Sequence, residues 1–542
     1  MPRFLLDSTK KASQRGLLGK LENIAVYLIL FFLCFAAVVS ANGQLQGKEI
    51  QVISAFLAGG DIAVLCVLWR LKRLDPKTLM FLLFLLGILM RLSYAAAYPA
   101  EDRQHDVFDA DGHLQYILRL ADTWRLPDSN NWQYNHPPLH HLLAAVWVKV
   151  FQWFGVTDQA QLAERLQFLT CFYSCAMLAV VYRIFDENPF GRRAVPLAYA
   201  LVCLHPTFYL LAGSLNNDCL MVLLFFTAVL YTLRWYRDPS LKNSLTLAVA
   251  IGCCMMAKVS GAMIAPVTAM VFVWKLAVLG RERKWRLLRG ILAKLAAFGA
   301  VCIPLGLWYP VRNLILFGQP LGYVAPIGED AAIYCGNEAL ADRFVPLLSP
   351  DWTKSLYCDP FEDYNIFVYA TKCSVFGETA LSGSRVAAAA LLVCAFILIT
   401  GALTAMVYVL ARGRSERTTL FFWVMAAVMA TQVGLFLYSN VRYPYGCTMD
   451  FRYLAPAVLP GAVFLGAAGQ RLWRSKREVP QYLAVVLSCV VFLFCVSDNR
   501  QTAHFQIHLK TRRLFIPYAF LNGRGTVHAL SRCRSAESAG TP

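Results

Sequence analysis

The 542 residues are 58% hydrophobic with a mean hydropathy of +0.49, well above the roughly 45–50% apolar content of soluble domains, which excludes a soluble globular architecture. The formal charge of +18 lies in short Lys/Arg clusters between apolar blocks, not in one basic domain. That pattern excludes a nucleic-acid footprint and reads as membrane topology.

The first twenty residues carry Arg3, Lys10, Lys11, Arg15 and Lys20, and the apolar run after them is too long for a signal-peptide core, so it is read as a retained first helix. Blocks long enough to cross a bilayer at 1.5 Å rise per residue follow. They fall at 22–41, 51–71, 78–98, 166–185, 195–213, 219–236, 243–257, 260–279, 290–309, 386–410, 419–438, 453–469 and 480–497, about thirteen spans. With the N-terminus inside, the loops at 70–77, 183–193, 234–242, 281–289, 412–417 and 471–477 are all cytoplasmic and all basic, as the positive-inside rule requires. The apolar stretch 139–155 would invert that pattern as a full crossing and is therefore read as a juxtamembrane or re-entrant helix.

The chain thus divides into residues 1–98 (tail and first three spans), 99–165 (first large outer loop), 166–309 (central spans), 310–385 (second large outer loop), 386–497 (last spans) and 498–542 (a basic tail, placed outside by the odd span count). Most of the 17 cysteines lie in apolar runs, where a thiol acts as a small hydrophobe; Cys335, Cys358, Cys373 and Cys447 fall in outer loops, where a disulfide is chemically feasible. The sequence has no CxxC metal pattern.

The densest polar cluster, His105-Asp106-Val107-Phe108-Asp109-Ala110-Asp111-Gly112-His113-Leu114-Gln115-Tyr116, follows the third span. Helical spacing of Leu114, Ile117, Leu118 and Ala121 predicts an amphipathic surface helix over 112–124. Asp109 or Asp111 fits its N-cap, while Asp106 stands too far upstream to cap and is the functional candidate. The loop ends in Asn135-His136-Pro137-Pro138, where consecutive prolines stiffen the approach to an apolar helix and hold His136. His136, His140 and His141 do not have zinc-ligand spacing.

Asn216-Asn217-Asp218 stands at the outer end of a span, where a carboxylate flanked by amides is a functional hypothesis by default. Two carboxylates converging from different loops, Asp106 and Asp218, could act as general base and as orienter or ligand of a divalent cation such as Mg or Mn. Lys258, Arg312, Arg442 and Arg452 face outward against the positive-inside bias, and binding a phosphate supplies a reason, with Arg as bidentate ligand. Asp450 stands two residues before Arg452, at the right distance for an ion pair that orients it.

Taken in order, His105-Asp106 to Tyr116, His136-Pro137-Pro138-Leu139, Asn216-Asn217-Asp218, Lys258, Arg312-Asn313 and Asp450-Phe451-Arg452-Tyr453 resemble the GT-C superfamily of polyprenyl-phosphate-sugar glycosyltransferases, the group containing protein O-mannosyltransferases and bacterial aminoarabinose transferases. The resemblance implies an all-α polytopic membrane protein with a GT-C-like core and juxtamembrane helices in the first outer loop. It also implies that Asp106 activates the acceptor, with Asp218 as the second acid and Asp111 as the other acid of the first loop. The same motifs imply substrate contacts from His105, His113, Tyr116, His136, Asn217, Lys258, Arg312 and Arg452. Asp106-Val107 departs from the Asp-Glu pair of the mannosyltransferases.

The function expected is transfer of a sugar, a mannose-like hexose or a pentose, from a polyprenyl-phosphate donor to a protein, lipid or glycan acceptor. The membrane would be the plasma (inner) membrane, or the endoplasmic reticulum in a eukaryote, with the site on the extracytoplasmic face. A transporter or flippase is the alternative from another class, but the sequence has no paired broken helices in two halves. A non-catalytic scaffold fits less well, because binding surfaces deplete charge at their centre.

Overall fold

In the computed structural model, residues 47–104, 107–128, 132–377, 385–412 and 416–504 are described. The expected span 22–41, the residues His105 and Asp106, and the tail beyond residue 504 lie outside them. The described chain is helical almost throughout, with one isolated antiparallel bridge between Tyr334 and Tyr445.

The principal helices are α1 (Gly47–Arg70), α2 (Pro76–Ala97), α3 (His113–Thr123), α4 (Leu139–Trp153), α5 (Gln159–Glu187), α6 (Ala194–Cys203), α7 (Pro206–Ala212), α8 (Asp218–Arg237), α9 (Leu241–Ala257), α10 (Ile264–Arg281), α11 (Trp285–Phe317), α12 (Ile366–Phe376), α13 (Arg385–Leu410), α14 (Glu416–Arg442), α15 (Val458–Trp473) and α16 (Glu478–His504). Local chemistry sets their starts. Before α2 the Asp75 carboxylate accepts from Lys77 N at 2.8 Å and Thr78 N at 3.2 Å, and Pro76 occupies the first turn, where no N–H is needed.

Ten helical stretches are long and apolar enough to cross a membrane, and they coincide with ten of the thirteen expected spans. Of the other three, 22–41 is not described, and α9 and the described apolar part of α16 are shorter apolar helices. The span expected over 195–213 is two helices, α6 and α7, broken before Pro206.

Contacts between helix ends sort the loops. Lys77 reaches Asp186 at 3.9 Å, Arg234 pairs with Glu187, and Gln470 Oε1 accepts from Arg193 N and Ala194 N at 3.1 and 3.0 Å. The Arg193 guanidinium lies 5.3 Å from the Trp473 ring, and Arg412 and Arg471 lie 5.0 and 5.7 Å from the Tyr408 ring. Five of the six basic loops, those at 70–77, 183–193, 234–242, 412–417 and 471–477, therefore gather at one end of the bundle. The motifs of the first outer loop, Asp218, Lys258 and Arg452 meet at the opposite end.

The amphipathic helix expected over 112–124 is α3, with Leu114, Ile117, Leu118 and Ala121 buried. Its N-cap is Gly112, without a side-chain cap bond, so neither Asp109 nor Asp111 caps it as expected. Gly112 is itself extended (φ −76°, ψ 176°), which leaves both aspartates on the preceding turn. The stretch 139–155 is α4, 15 residues or about 22 Å long, short of the roughly 30 Å hydrocarbon core, as a juxtamembrane helix should be.

Two departures concern residues 310–385. Helix α11 runs 33 residues through Pro304 and Pro310 to Phe317, so Arg312 is helical and not in a loop. The span was expected to end at residue 309, but each proline removes only one backbone bond, a loss that membrane helices tolerate. The second departure is α12, which is buried along almost its whole length. It starts where the Asn365 side chain accepts from Phe367 N and Val368 N at 3.2 and 3.1 Å, and it holds a buried ion pair, Lys372 to Asp363, at 2.9 Å.

Candidate active site

The loop from α7 to α8 is built around amides. Asn216 Oδ1 accepts from Asp218 N at 3.1 Å, and Asn217 Nδ2 donates to Ala257 O at 2.8 Å, tying the start of α8 to the end of α9. Asp218 thereby opens α8, where a carboxylate is favoured by the helix dipole, yet it is only 1% exposed. A charge so buried needs a partner.

Lys258 supplies it. The residue caps α9 in an extended conformation, and its Nζ donates to Asp218 Oδ1 at 2.5 Å. The turn after Lys258 is tight, because a Cβ on Gly261 would meet Cys254 O at 2.7 Å. The ammonium also lies 4.9 Å from the centroid of the Tyr453 ring. Burial pushes the Lys258 ammonium below the ordinary lysine range, and Asp218 opposes the shift.

Arg452 comes from the 3-10 turn Phe451–Ala457. The ion pair anticipated with Asp450 is present: Asp450 Oδ1 accepts from Arg452 N at 2.8 Å, and its Oδ2 stands 3.2 Å from Arg452 Nε. The Arg452 guanidinium lies 5.2 Å from the Tyr453 ring, so one tyrosine contacts both cations. Cys373 of α12 donates to Asp450 at 3.0 Å, which is how the buried helix of the second outer loop supports this corner.

Four histidines line the first-loop side. His113 of α3 and His141 of α4 share a hydrogen bond at 2.9 Å, with rings within 9° of parallel. His136 stacks on His113 at 5.8 Å, and His140 Nε2 bonds to Leu215 O at 2.9 Å, beside the amide loop. Burial drives all four imidazoles down, His136 to about 3 with Lys258 adding to the effect, and His140 to about 4. At neutral pH they are uncharged, each able to donate at one nitrogen and accept at the other.

The start of the first loop is pinned to the same place. Gln104 Oε1 accepts from Leu215 N at 2.9 Å, and the Arg103 guanidinium donates to the carbonyls of Tyr94 at 2.8 Å, Ala95 at 3.0 Å, Gly213 at 3.2 Å and Tyr98. Gln104 is the last described residue before His105 and Asp106.

Of the expected site residues, Asp218, Asn217, Lys258, Arg452, His136 and His113 come together. Tyr116 is placed in the wall: it is fully buried, stacks on His141 at 4.1 Å, and shares a 3.2 Å hydroxyl contact with Tyr309, whose hydroxyl donates to Tyr134 O at 2.7 Å. Arg312 bridges Asn313 Oδ1 at 3.0 Å and Pro127 O at 2.9 Å, clasping α11 to the first loop. Asp111 sits on the turn before α3, its carbonyl accepting from Gln133 N at 3.3 Å. Among the described residues, no hydrogen bond or ion pair joins Asp111 or Arg312 to the Asp218–Lys258 pair. Cys335 and Cys358 carry free thiols.

Sequence reasoning did not single out Tyr453, His140, His141, Arg103 or Gln104 as site residues. Tyr453 adjoins Arg452, and the two histidines follow the double proline, so proximity was the only signal.

A charged pair, a guanidinium and neutral imidazoles around one buried corner suit an anionic, hydroxyl-rich ligand. Residues 135–308 match the family model described as dolichyl-phosphate-mannose-protein mannosyltransferase. This bears out the resemblance drawn from the motifs, and the matched stretch runs from His136 through Asp218 and Lys258 to the outer part of α11. Comparison with the curated proteins gives no match. Among solved structures, the chain is similar to the oligosaccharyltransferase of Archaeoglobus fulgidus tethered with an acceptor peptide, at 12% identity and a TM-score of 0.44 over 78% of this chain and 55% of that one. It is also similar to ArnT from Cupriavidus metallidurans bound to undecaprenyl phosphate, at 11% identity and a TM-score of 0.40 over 81% and 76% of the two chains. The chain thus spans about half the length of the archaeal oligosaccharyltransferase.

Proposed function

We propose that this protein is a membrane glycosyltransferase that moves a sugar from a polyprenyl-phosphate donor to an acceptor on the extracytoplasmic face. The observation that carries the reading is the convergence of Lys258 and Arg452 on the Tyr453 ring beside Asp218, at the end of the bundle opposite the basic loops. Two cations at an outer bundle end suit a lipid phosphate, whose chain lies in the bilayer while its headgroup reaches the site. The family match over residues 135–308 supports the same reading.

In the proposed reaction the bond between the anomeric carbon and the phosphate oxygen breaks, its electron pair staying on that oxygen. The acceptor oxygen forms the new bond and gives up its proton to Asp106. Arg452 and Lys258 oppose the charge that grows on the departing phosphate, and the neutral imidazoles of His113 and His136 hold sugar hydroxyls. Arg312 acts by clasping the first loop to α11. A single displacement inverts the anomeric centre.

The test is a mass spectrum of lipid-linked sugars in cells lacking the protein, paired with reconstitution of the purified chain with the donor that accumulates. Accumulation of one polyprenyl-phosphate sugar, consumed by the reconstituted chain, is the expected result. Unchanged lipid-linked sugars would contradict the proposal.

A further inference from the structure

The sequence suggested Asp218 as a possible ligand of a divalent ion, and the geometry around it points to another cation. Its Oδ1 is bonded to Lys258 Nζ at 2.5 Å, with the two side chains 2% and 11% exposed. The chain holds this ammonium in place: Asn217 is bonded to Ala257 O at 2.8 Å, and the turn at Gly261 leaves no room for a side chain. Arg452 lies 5.2 Å from the same tyrosine ring and is itself paired with Asp450. Among the described residues, no group of three His, Cys, Asp or Glu gathers where it could hold a metal ion.

We propose that Lys258 is the resident cation of this site, standing beside Asp218 where a divalent metal would otherwise be needed, so that donor phosphate is bound by Lys258 and Arg452 without a metal. A divalent ion on Asp218 would meet the ammonium already bonded to it and the field of the Arg452 guanidinium in buried, low-dielectric space, a repulsion that bulk water would have screened. An ammonium has three donors; one is committed to Asp218, which leaves two for phosphate oxygens. Asp218 thereby aims Lys258 and keeps it charged despite its burial. The phosphate ligand rests on the function proposed above, whereas the absence of a metal requirement does not.

The experiment titrates Mn2+ into the purified full-length chain and follows free Mn2+ by electron paramagnetic resonance, in the wild type, in Lys258→Met and in Lys258→Met with Asp218→Asn. The wild type is expected to bind no Mn2+ at sub-millimolar concentration, Lys258→Met to gain one site, and the double variant to lose it again. In parallel, sugar transfer by the wild type is measured in excess chelator and should stay within about two-fold of its rate without chelator, while Lys258→Met should fall on the order of 100-fold, the scale of losing one charge-stabilising donor. Stoichiometric Mn2+ binding by the wild type that Asp218→Asn abolishes, or a ten-fold fall of wild-type transfer in chelator that Mn2+ restores, would overturn the proposal. If Lys258→Met does not fold, the wild-type titration and chelator measurement still decide, with Lys258→Arg expected to remain metal-independent. A wild type with no transferase activity at all would sink the proposed function while leaving the Mn2+ titration to judge the cation.

Discussion

Lys258 and Asp218 stand 40 residues apart in sequence, one at the end of α9 and the other at the start of α8, and their 2.5 Å ion pair closes the end of the central helices opposite the basic loops. Both are in a protein interior where neither could remain charged alone. The pair therefore fixes the geometry around which Tyr453, Arg452 and the histidines are arranged.

Arg452→Ala should weaken use of the donor by about 10²-fold, and Arg452→Lys should recover only part of that, because a point charge lacks the planar fork that grips a phosphate. Initial rates against donor concentration check this. Full activity in the alanine variant would remove Arg452 from the site.

The buried imidazoles predict a pH dependence of stability. His140 is held down to about 4 in the folded protein by burial, against about 6.5 in an unfolded chain. The folded state therefore binds fewer protons, and its advantage is complete above pH 6.5 and is lost progressively as pH falls toward 4, by about 1.4 kcal/mol per pH unit for this residue. Thermal unfolding of the purified protein at pH 7.5, 5.5 and 4.5 should show the midpoint falling with acid, and His140→Gln should flatten the slope. A midpoint insensitive to acid would contradict the buried, neutral assignment.

Tyr116 was expected to touch substrate, but its hydroxyl faces Tyr309 inside the wall. Tyr116→Phe should cost about 1 kcal/mol of stability, the worth of one neutral hydrogen bond, with KM for donor and acceptor unchanged. A raised KM with unchanged stability would return Tyr116 to the substrate surface.

The topology makes its own prediction. An accessibility tag after Ser475, between α15 and α16, should report the cytoplasm, and one after Glu338, between α11 and α12, should report the outside. Both tags on one side would break the assignment of helix directions.

The spans were legible because a bilayer demands about twenty apolar residues in a row, and a window of that length sees little else. What escaped was whatever that window cannot weigh. Helix α12 is only 11 residues and carries Lys372, so composition hid a helix whose lysine is neutralised by Asp363 from a neighbouring turn. Helix α11 ran past Pro310 because a proline signal is local, while the packing that tolerates it is not. In the site, Asp218, Lys258 and Arg452 could be named singly, since each broke a local rule by placing charge at an apolar helix end. Their pairing was hidden, because only the fold brings α8, α9 and the turn before α15 together. The Asp450–Arg452 pair, two residues apart, was legible for the opposite reason.

In the proposed function this corner transfers sugar from a lipid phosphate with a carboxylate of the first loop as base. Labelled-sugar transfer from a purified polyprenyl-phosphate donor, by wild type, Asp106→Asn, Asp109→Asn and Asp111→Asn of equal folding, tests it most directly. Asp106→Asn should lose about 10²–10⁴-fold, the range for removing a general base, with rates near wild type in the other two. Normal transfer by Asp106→Asn, or no transfer by the wild type, would contradict it.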